Sequence, residues 1–214
     1  MSDFANIWKD GYYEGDPLDP KSPSSYGELS YMSILHATYL RCIKPYIDPN
    51  KIALEIGPGR GAWSKCMLGF GILNVIDPVS PETTGFWKYV GYHTHVLYHT
   101  ILDYSCKQLA DDSIDYMFSF GTFCHIPREG IIQYAVNLFP KLSHGADCFW
   151  MIADRYKYKI STGRGIEELE QGPGRWFGTS IEDVCHILKI YGYKIIDPDV
   201  GTCLRDPIIQ FRKE

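Results

Sequence analysis

The sequence lacks three features that identify common classes of protein. It has no run of lysine and arginine and a formal net charge of -5, so the basic face of a nucleic-acid binder is not expected. No apolar run reaches membrane-spanning length. The N-terminus, MSDFANIWKDGYYEGD, has no basic start followed by an apolar run, so no signal peptide is expected. We therefore predict a cytoplasmic protein that binds neither nucleic acid nor membranes.

Paired cysteines are also lacking. The chain has 7 Cys, an odd number, and none has Cys-x-x-Cys spacing, which argues against a disulfide framework or a zinc site. Three histidines cluster around one apolar run, at His93, His95 and His99, but no acidic residue accompanies them at helical spacing. We predict a reduced chain with no metal site.

Apolar runs do occur, and they alternate with helix-like segments. Five of them read as buried strands: Ile52–Ile56, Leu73–Ile76, His95–Tyr98, Ile114–Phe120 and Cys148–Ala153. Three helix-like segments lie between them: Ala62–Gly69, Pro81–Tyr89 and Ile131–Leu138. Two further strands follow as a hairpin, without a helix between them. The pattern predicts an α/β, doubly wound, Rossmann-like fold with a seven-stranded mixed sheet and an antiparallel last strand.

The segments outside this alternation give further expectations. Ser25, with Glu28 three residues on, forms a capping-box pattern and predicts the start of a cap helix. Ser180 predicts a helix that runs to Tyr191. Residues 155–178 read as a long insertion, of the kind that often serves as a lid or binding loop. We expect two parts, an N-terminal arm and cap helix over 1–50 and a main domain over 51–214.

The stretch LEIGPGRGA places three glycines two apart between two apolar runs. A glycine-rich turn from strand to helix lets the backbone approach a ligand closely. The letters GPGRGA also fit the Gly-x-Gly-x-x-Ala pattern of dinucleotide binding, and Asp77 lies at the distance where an acid binds ribose. The turn alone leaves two cofactor classes open.

The surrounding motifs favour one of them. LEIGPGRG has an acid two positions before the first glycine, VIDP ends the next run in an acid, ILDYS follows the third and SFGTFCHIP the fourth. With the closing hairpin, this series resembles the class I S-adenosylmethionine-dependent methyltransferases from about Lys51 onward. The resemblance implies S-adenosyl-L-methionine as cofactor. It assigns ten residues to that cofactor: Glu55, Gly57, Gly59, Gly61, Asp77, Leu102, Asp103, Tyr104, Phe120 and Gly121.

These residues divide by the portion of the cofactor that they are expected to meet. The glycine turn would wrap the methionine portion and the ribose, with Glu55 near the amino group. Asp77 would bind the ribose hydroxyls and Asp103 the adenine amine, with Leu102 and Tyr104 beside the ring. The backbone at the end of the fourth strand would face the methionine end.

Two residues are candidates for a catalytic base. His125 follows the fourth strand, and histidine titrates close to neutral pH. Asp154 ends the fifth strand and is the rival candidate. Six residues of the arm and the insertion are candidates for a lid or a substrate contact: Tyr12, Tyr13, Arg155, Arg164, Arg175 and Trp176.

The sequence therefore predicts an S-adenosylmethionine-dependent methyltransferase that acts on a small molecule, with a hydroxyl acceptor favoured. Two alternatives remain, a nicotinamide-dependent oxidoreductase and a non-catalytic module that keeps the fold. The choice between monomer and homodimer stays open.

Overall fold

Nine strands are present in the computed structural model, which describes residues 6, 14–165, 167, 170–171 and 176–214. Two short strands near the N-terminus pair with each other, β1 (Glu28–Leu29) and β2 (Met32–Ser33). The other seven form one sheet: β3 (Ile52–Ile56), β4 (Ile72–Asp77), β5 (Val96–Thr100), β6 (Ile114–Ser119), β7 (Leu142–Met151), β8 (Tyr193–Asp197) and β9 (Ile208–Lys213).

The order of the seven-stranded sheet is β5-β4-β3-β6-β7-β9-β8. The pairs β3/β4, β4/β5 and β6/β7 are parallel, whereas β9 is antiparallel to both β7 and β8. The predicted mixed sheet with an antiparallel last strand is confirmed. Strand β7 begins six positions before the predicted Cys148, because its first half alternates polar and apolar residues and lacks the continuous apolar run used to find it.

The middle strands are buried on both faces. Leu54 of β3, Met117 and Phe118 of β6, and Phe149 and Trp150 of β7 are each at most 1% exposed. A strand covered on both sides must place apolar groups at successive positions, which is the pattern that predicted these strands.

The chain divides into two compact units, Met1–Leu102 and Asp103–Glu214. The first contains β1 to β5 and the second β6 to β9. The predicted division at residue 50 stays a prediction. None of the helices among the described residues has the length and apolarity needed to cross a membrane.

In the first unit, the predicted cap helix starts later than expected. Ser25 does not cap a helix; the chain instead forms the β1–β2 hairpin, and helix α1 (Ile34–Thr38) follows it, continued by a π-helical turn, Tyr39–Ile43, and a 3-10 turn, Lys44–Tyr46. Gly27 has φ 87° and Ser30 has φ 60°, both incompatible with a right-handed helix. The prediction that the helix begins at Ser25 is therefore wrong.

Three short helices connect the strands of the first unit. Helix α2 (Ala62–Cys66) follows the glycine turn. The predicted helix over Pro81–Tyr89 is interrupted at Gly85, which has φ 72°, and forms α3 (Pro81–Thr84) and α4 (Phe86–Val90). Ser80 caps α3 by accepting a hydrogen bond from the Thr83 amide.

In the second unit, helix α5 (Arg128–Leu138) joins β6 to β7, and helix α7 (Ile181–Ile190) precedes β8. Ser180 caps α7, as predicted, by accepting from the Asp183 amide at 3.1 Å. Part of the predicted insertion is helical, because α6 (Arg155–Thr162) starts directly after Asp154. The segment predicted as a long insertion, 155–178, therefore begins with a helix instead of a loop.

Candidate functional site

The three glycines of the turn after β3 all have positive φ, 72° at Gly57, 53° at Gly59 and 98° at Gly61. Side chains rarely adopt this conformation, so the turn depends on glycine. At Gly61 packing adds a second requirement, because an added Cβ would collide with Val90 and come within 2.9 Å of the Phe86 ring. The third glycine therefore lets helix α4 pack against the turn.

The amides of these glycines donate within the chain. The first donates to the carbonyl of Ile76 at 2.8 Å, the second to the carboxylate of Asp77 at 3.4 Å and the third to the carbonyl of Pro58 at 2.8 Å. Pro58 itself has no amide hydrogen. The turn thus offers an incoming anion few of the N–H groups that a phosphate-binding loop presents.

The side chain of Glu55, two positions before the first glycine of the turn, is buried. The Ser64 hydroxyl of helix α2 donates a hydrogen bond to its Oε2. The pKa of Glu55 is raised to about 8, mainly by burial and also by the negative charges of Glu14 and Asp77, while the hydrogen bond from Ser64 acts in the opposite direction. The predicted Glu55 therefore lies within charge–charge range of two other carboxyl groups.

Asp77 lies at the end of β4 and is also buried. Its Oδ1 accepts a hydrogen bond from the Val79 amide at 2.7 Å. Burial raises the pKa of Asp77 to about 6, although the backbone hydrogen bonds from Val79 and Gly59 act in the opposite direction. Each carboxylate oxygen has two acceptor positions, so Asp77 keeps capacity for ligand hydroxyls.

A third carboxyl group, that of Glu14, was not predicted from the sequence. Its side chain is 9% exposed, and its Oε2 is buried without a hydrogen-bond partner. Burial raises the pKa of Glu14 to about 7, while the positive charge of Arg60 in the glycine turn lowers it. No local motif marks Glu14, because Arg60, whose charge acts on it, lies more than forty residues further along the chain.

The residues after β5 are more open to solvent. Leu102 is 69% exposed. In the second unit, Asp103 accepts hydrogen bonds from the Ser105 amide at 3.0 Å and its hydroxyl at 2.7 Å, which hold the pKa of Asp103 below its usual value. The Tyr104 ring meets the Tyr134 ring edge-on at 5.1 Å. The adenine contacts predicted for these residues stay predictions.

After β6 the chain passes through Phe120 and Gly121 into a 3-10 turn, Phe123–His125. The Phe120 ring lies parallel to that of Phe118 at 6.5 Å, and its side chain is buried. The contact of Phe120 and Gly121 with the cofactor stays a prediction.

His125 belongs to an aromatic cluster in the second unit. Its ring meets the Trp176 ring edge-on at 5.7 Å, and the Tyr158 ring lies 6.3 Å from Trp176. The guanidinium of Arg205 lies 4.5 Å from the centre of the Trp176 ring, within the range of a cation–π contact. The structure therefore brings together His125 and Trp176, which the sequence suggested separately, and adds Arg205.

Asp154 has a full set of backbone contacts. Its Oδ1 accepts from the amides of Tyr156 and Lys157 at 2.9 and 2.7 Å, and its Oδ2 accepts from the amide of Ile181 at 2.7 Å. The residue is 4% exposed. Asp154 thus caps helix α6 and holds the first residue of α7, which favours a structural role for its carboxylate.

The arginine candidates lie at different places in the second unit. Arg155 donates to the carbonyl of Gly178 at 2.6 Å and lines an open cleft of about 500 Å³, together with Arg128 and Asp183. None of the residues predicted to bind cofactor lines this cleft. Arg164 is exposed. The candidates Tyr12, Tyr13 and Arg175 lie outside the described residues.

The histidines around β5 have ordinary partners. His93 contacts the carbonyl of Val90 at 3.3 Å, His95 that of Leu68 at 3.2 Å, and His99 the side chain of Asn74 at 3.1 Å. In the part of the chain that the structure describes, no three His, Cys, Asp or Glu side chains form a group that could hold a metal ion.

Comparison with known proteins gives a result for the fold alone. No protein-family profile and no curated protein sequence matches the chain. Solved structures do match. The N-methyltransferase NodS from Bradyrhizobium japonicum WM9, in complex with S-adenosyl-L-homocysteine, has a TM-score of 0.61 at 15% identity, covering 84% of this chain and 87% of that one.

Two further structures are similar to the same degree. An S-adenosylmethionine-dependent methyltransferase from Mesorhizobium loti has a TM-score of 0.59 at 14% identity, covering 77% of this chain and 91% of that one. One from Methanosarcina mazei has a TM-score of 0.59 at 14% identity, covering 80% and 96%. The chain therefore has the Rossmann-like fold of the class I S-adenosylmethionine-dependent methyltransferases.

Proposed function

We propose that this protein is an S-adenosylmethionine-dependent methyltransferase that acts on the hydroxyl group of a small molecule. The observation that carries the proposal is the group of three buried carboxyl residues around the glycine turn, Glu14, Glu55 and Asp77. S-adenosylmethionine carries positive charge on its sulfonium and amino groups, and nearby carboxylates attract positive charge.

The residues of the first unit fit this cofactor. Asp77 retains acceptor positions for the ribose hydroxyls, and Glu55 and the glycine turn suit the methionine portion. When bound, the cofactor supplies a methyl group on a sulfonium for in-line displacement. The chain's own task is to orient the reactants and to supply the electrostatic environment.

The same residues fit a nicotinamide dinucleotide poorly. A pyrophosphate needs free backbone amides, whereas the amides of the three glycines donate within the chain. Its negative charge would also lie beside Glu55 and Asp77, and the charge of Asp77 already raises the pKa of Glu55. We therefore favour the methyl donor over the oxidoreductase.

In the second unit, we propose His125 as the base that accepts the proton of the acceptor hydroxyl. Asp154 is the weaker candidate, because its carboxylate already accepts three backbone hydrogen bonds. Asp103 and Tyr104 remain our proposal for the adenine, and Phe120 and Gly121 for the methionine end.

The aromatic cluster around His125 gives the acceptor its proposed chemical class. Trp176 and Tyr158 offer flat apolar surfaces, and Arg205 adds a positive charge beside them. Because Arg205 is already paired with Asp206, the flat surfaces are the stronger signal, and this combination suits a small ring-bearing metabolite. With a net charge of -5 and no basic run, the chain is poorly suited to a nucleic-acid acceptor.

An amine acceptor is the second candidate, favoured by the N-methyltransferase among the structures of the same fold. An amine that arrives neutral needs no base, so the two candidates differ in what they require of His125. Turnover that is independent of His125 would favour nitrogen over oxygen.

Thermal unfolding with S-adenosylhomocysteine, and with NAD in parallel, tests the proposal. A ligand at about a hundred times its dissociation constant adds about 2.7 kcal/mol, a rise of roughly 5–10 °C for a chain of this size. We expect a rise with S-adenosylhomocysteine alone. A rise with NAD alone would establish the oxidoreductase, and no rise with either would favour the non-catalytic module.

A further inference from the structure

Glu14 has the features of a ligand contact that no motif assigns. Its side chain is 9% exposed, and its Oε2 has no hydrogen-bond partner although water does not reach it. A buried carboxyl oxygen without a partner costs about 1–3 kcal/mol or more. A protein can retain this cost in its unligated state when a ligand supplies the missing hydrogen-bond partner.

The position of Glu14 is built by a tightly packed turn. An added Cβ at the next residue, Gly15, would come within 2.7 Å of Leu35 and 2.8 Å of the Pro23 carbonyl. The Asp16 amide donates to the Ser22 hydroxyl at 2.7 Å. His36 of helix α1 contacts the Pro17 carbonyl at 2.8 Å. The turn that follows Glu14 is therefore fixed by several contacts with the rest of the first unit.

The charges around Glu14 identify what it faces. Arg60, inside the glycine turn, attracts its carboxylate, and Glu55, directly before that turn, is repelled by it. Glu55 also interacts with Asp77. The carboxyl group of Glu55 therefore lies within the range of charge–charge interaction of both Glu14 and Asp77.

We propose that Glu14 contacts the amino group of the methionine portion of the cofactor, and that the arm thereby completes the cofactor site of the first unit. This inference rests on the proposed function. An ammonium group provides three donors and a positive charge. It gives the unpartnered oxygen a hydrogen bond and offsets the repulsion between Glu14 and Glu55.

The alternative is that Glu14 only holds the arm in place. Its removal would then destabilise the unligated protein and weaken all adenosine ligands equally. A contact with the amino group behaves differently, because it affects only ligands that carry that group.

The test is calorimetric titration of Glu14→Gln with two ligands. S-adenosylhomocysteine has the amino group, whereas methylthioadenosine keeps the adenosine and lacks the amino-acid portion. We expect Glu14→Gln to lose about tenfold or more in affinity for S-adenosylhomocysteine, the loss of one charged hydrogen bond. Its affinity for methylthioadenosine and its unligated melting temperature should not fall.

Glu28→Gln is the control, because Glu28 is an exposed glutamate of the same arm region. It should change neither affinity. Equal losses for both ligands, or no loss for S-adenosylhomocysteine, would overturn the role of Glu14 while the proposed function stands. A wild-type protein that binds neither ligand would overturn both.

Discussion

In the first unit, Glu14 and Glu55 are buried carboxyl groups with few partners, and both have a raised pKa. In the second unit, Asp154 is as deeply buried, but its carboxylate accepts three backbone hydrogen bonds. Asp183 forms a two-bond pair with Arg128, at 2.8 and 2.9 Å, and its pKa is lowered.

This difference distinguishes the carboxylates with a structural role from the carboxyl groups that we propose bind a ligand. Backbone amides and arginine stabilise the ionised form within the fold, so such groups are satisfied when the chain is unligated. A buried carboxyl oxygen that has no hydrogen-bond partner, such as Oε2 of Glu14, carries a cost that folding alone does not justify. Asp206 of the second unit has one orphan oxygen, yet Arg205 pairs with its other oxygen at 2.6 Å.

The largest effect is expected at His125. We expect His125→Asn to lower turnover about 100- to 1000-fold, the usual contribution of a general base, with unchanged affinity for S-adenosylhomocysteine. Steady-state kinetics and calorimetry measure the two quantities. His144→Asn is the control, because His144 is an exposed histidine of the same unit. Turnover equal to wild type would remove His125 as the base.

Asp154→Ala should act on stability. It leaves the amides of Tyr156, Lys157 and Ile181 without their acceptor, at a cost of roughly 3 kcal/mol in the free energy of unfolding. Urea unfolding measures this loss. Asp111→Ala, which removes an exposed partner of Lys141, should cost less than about 1 kcal/mol. Equal costs for both variants would contradict the structural role of Asp154.

The sequence predicted the scaffold better than the site. Ile52–Ile56 and Ile114–Ser119 were found because strands buried on both faces are continuous apolar runs, and Ser180 was found because capping is local chemistry. The helix expected from Ser25 failed because Gly27 and Ser30 adopt positive φ in a hairpin. A capping-box pattern indicates which side chains could cap a helix, but it does not predict positive φ at the residues that follow.

The site was predictable only where a motif is contiguous. Glu55 and the glycine turn lie in one stretch of chain. Glu14 comes from an arm some forty residues earlier, and Arg205 reaches Trp176 from the loop before the last strand, so neither contact has a local signature. Asp154 was taken for a catalytic candidate because a strand end suggests chemistry, whereas the helix that it caps was not recognised.

The pH dependence of stability reports the buried carboxyl groups of the first unit. Between the ordinary carboxyl pKa of 4.5 and the raised values of about 7 and 8, the folded chain holds more protons at Glu14 and Glu55 than the unfolded chain. The free energy of unfolding should therefore fall as pH rises from 5 to 8, by roughly 6 kcal/mol from these two groups together. Urea unfolding across this range should show a smaller fall in Glu55→Gln. An equal slope in the two proteins would contradict the raised pKa.

Asp77→Asn should weaken S-adenosylhomocysteine about tenfold, because the ribose hydroxyls lose a charged acceptor. The unligated melting temperature should fall only slightly, because the amide oxygen still accepts from Val79 and only the long 3.4 Å hydrogen bond from Gly59 is lost. Calorimetry measures the affinity, and thermal unfolding measures the melting temperature of the unligated protein. Unchanged affinity would remove Asp77 from the ribose site.

The smallest effect is expected at Asp103. Asp103→Asn should weaken S-adenosylhomocysteine only about threefold, because an exposed carboxylate competes with water for the adenine amine. The same calorimetric titration measures it. A loss of affinity larger than that of Asp77→Asn would contradict the expectation that the exposed Asp103 contributes less to binding than the buried Asp77.

The most direct measurement is calorimetric titration of the wild-type protein with S-adenosylhomocysteine at pH 7, in two buffers of different ionisation enthalpy. If buried carboxyl groups at the glycine turn receive the ligand's amino group, binding lowers their pKa and releases about half a proton to one proton. We predict this proton release in the wild-type protein and a smaller release in Glu14→Gln. Binding with no proton exchange, or with proton uptake, would contradict it.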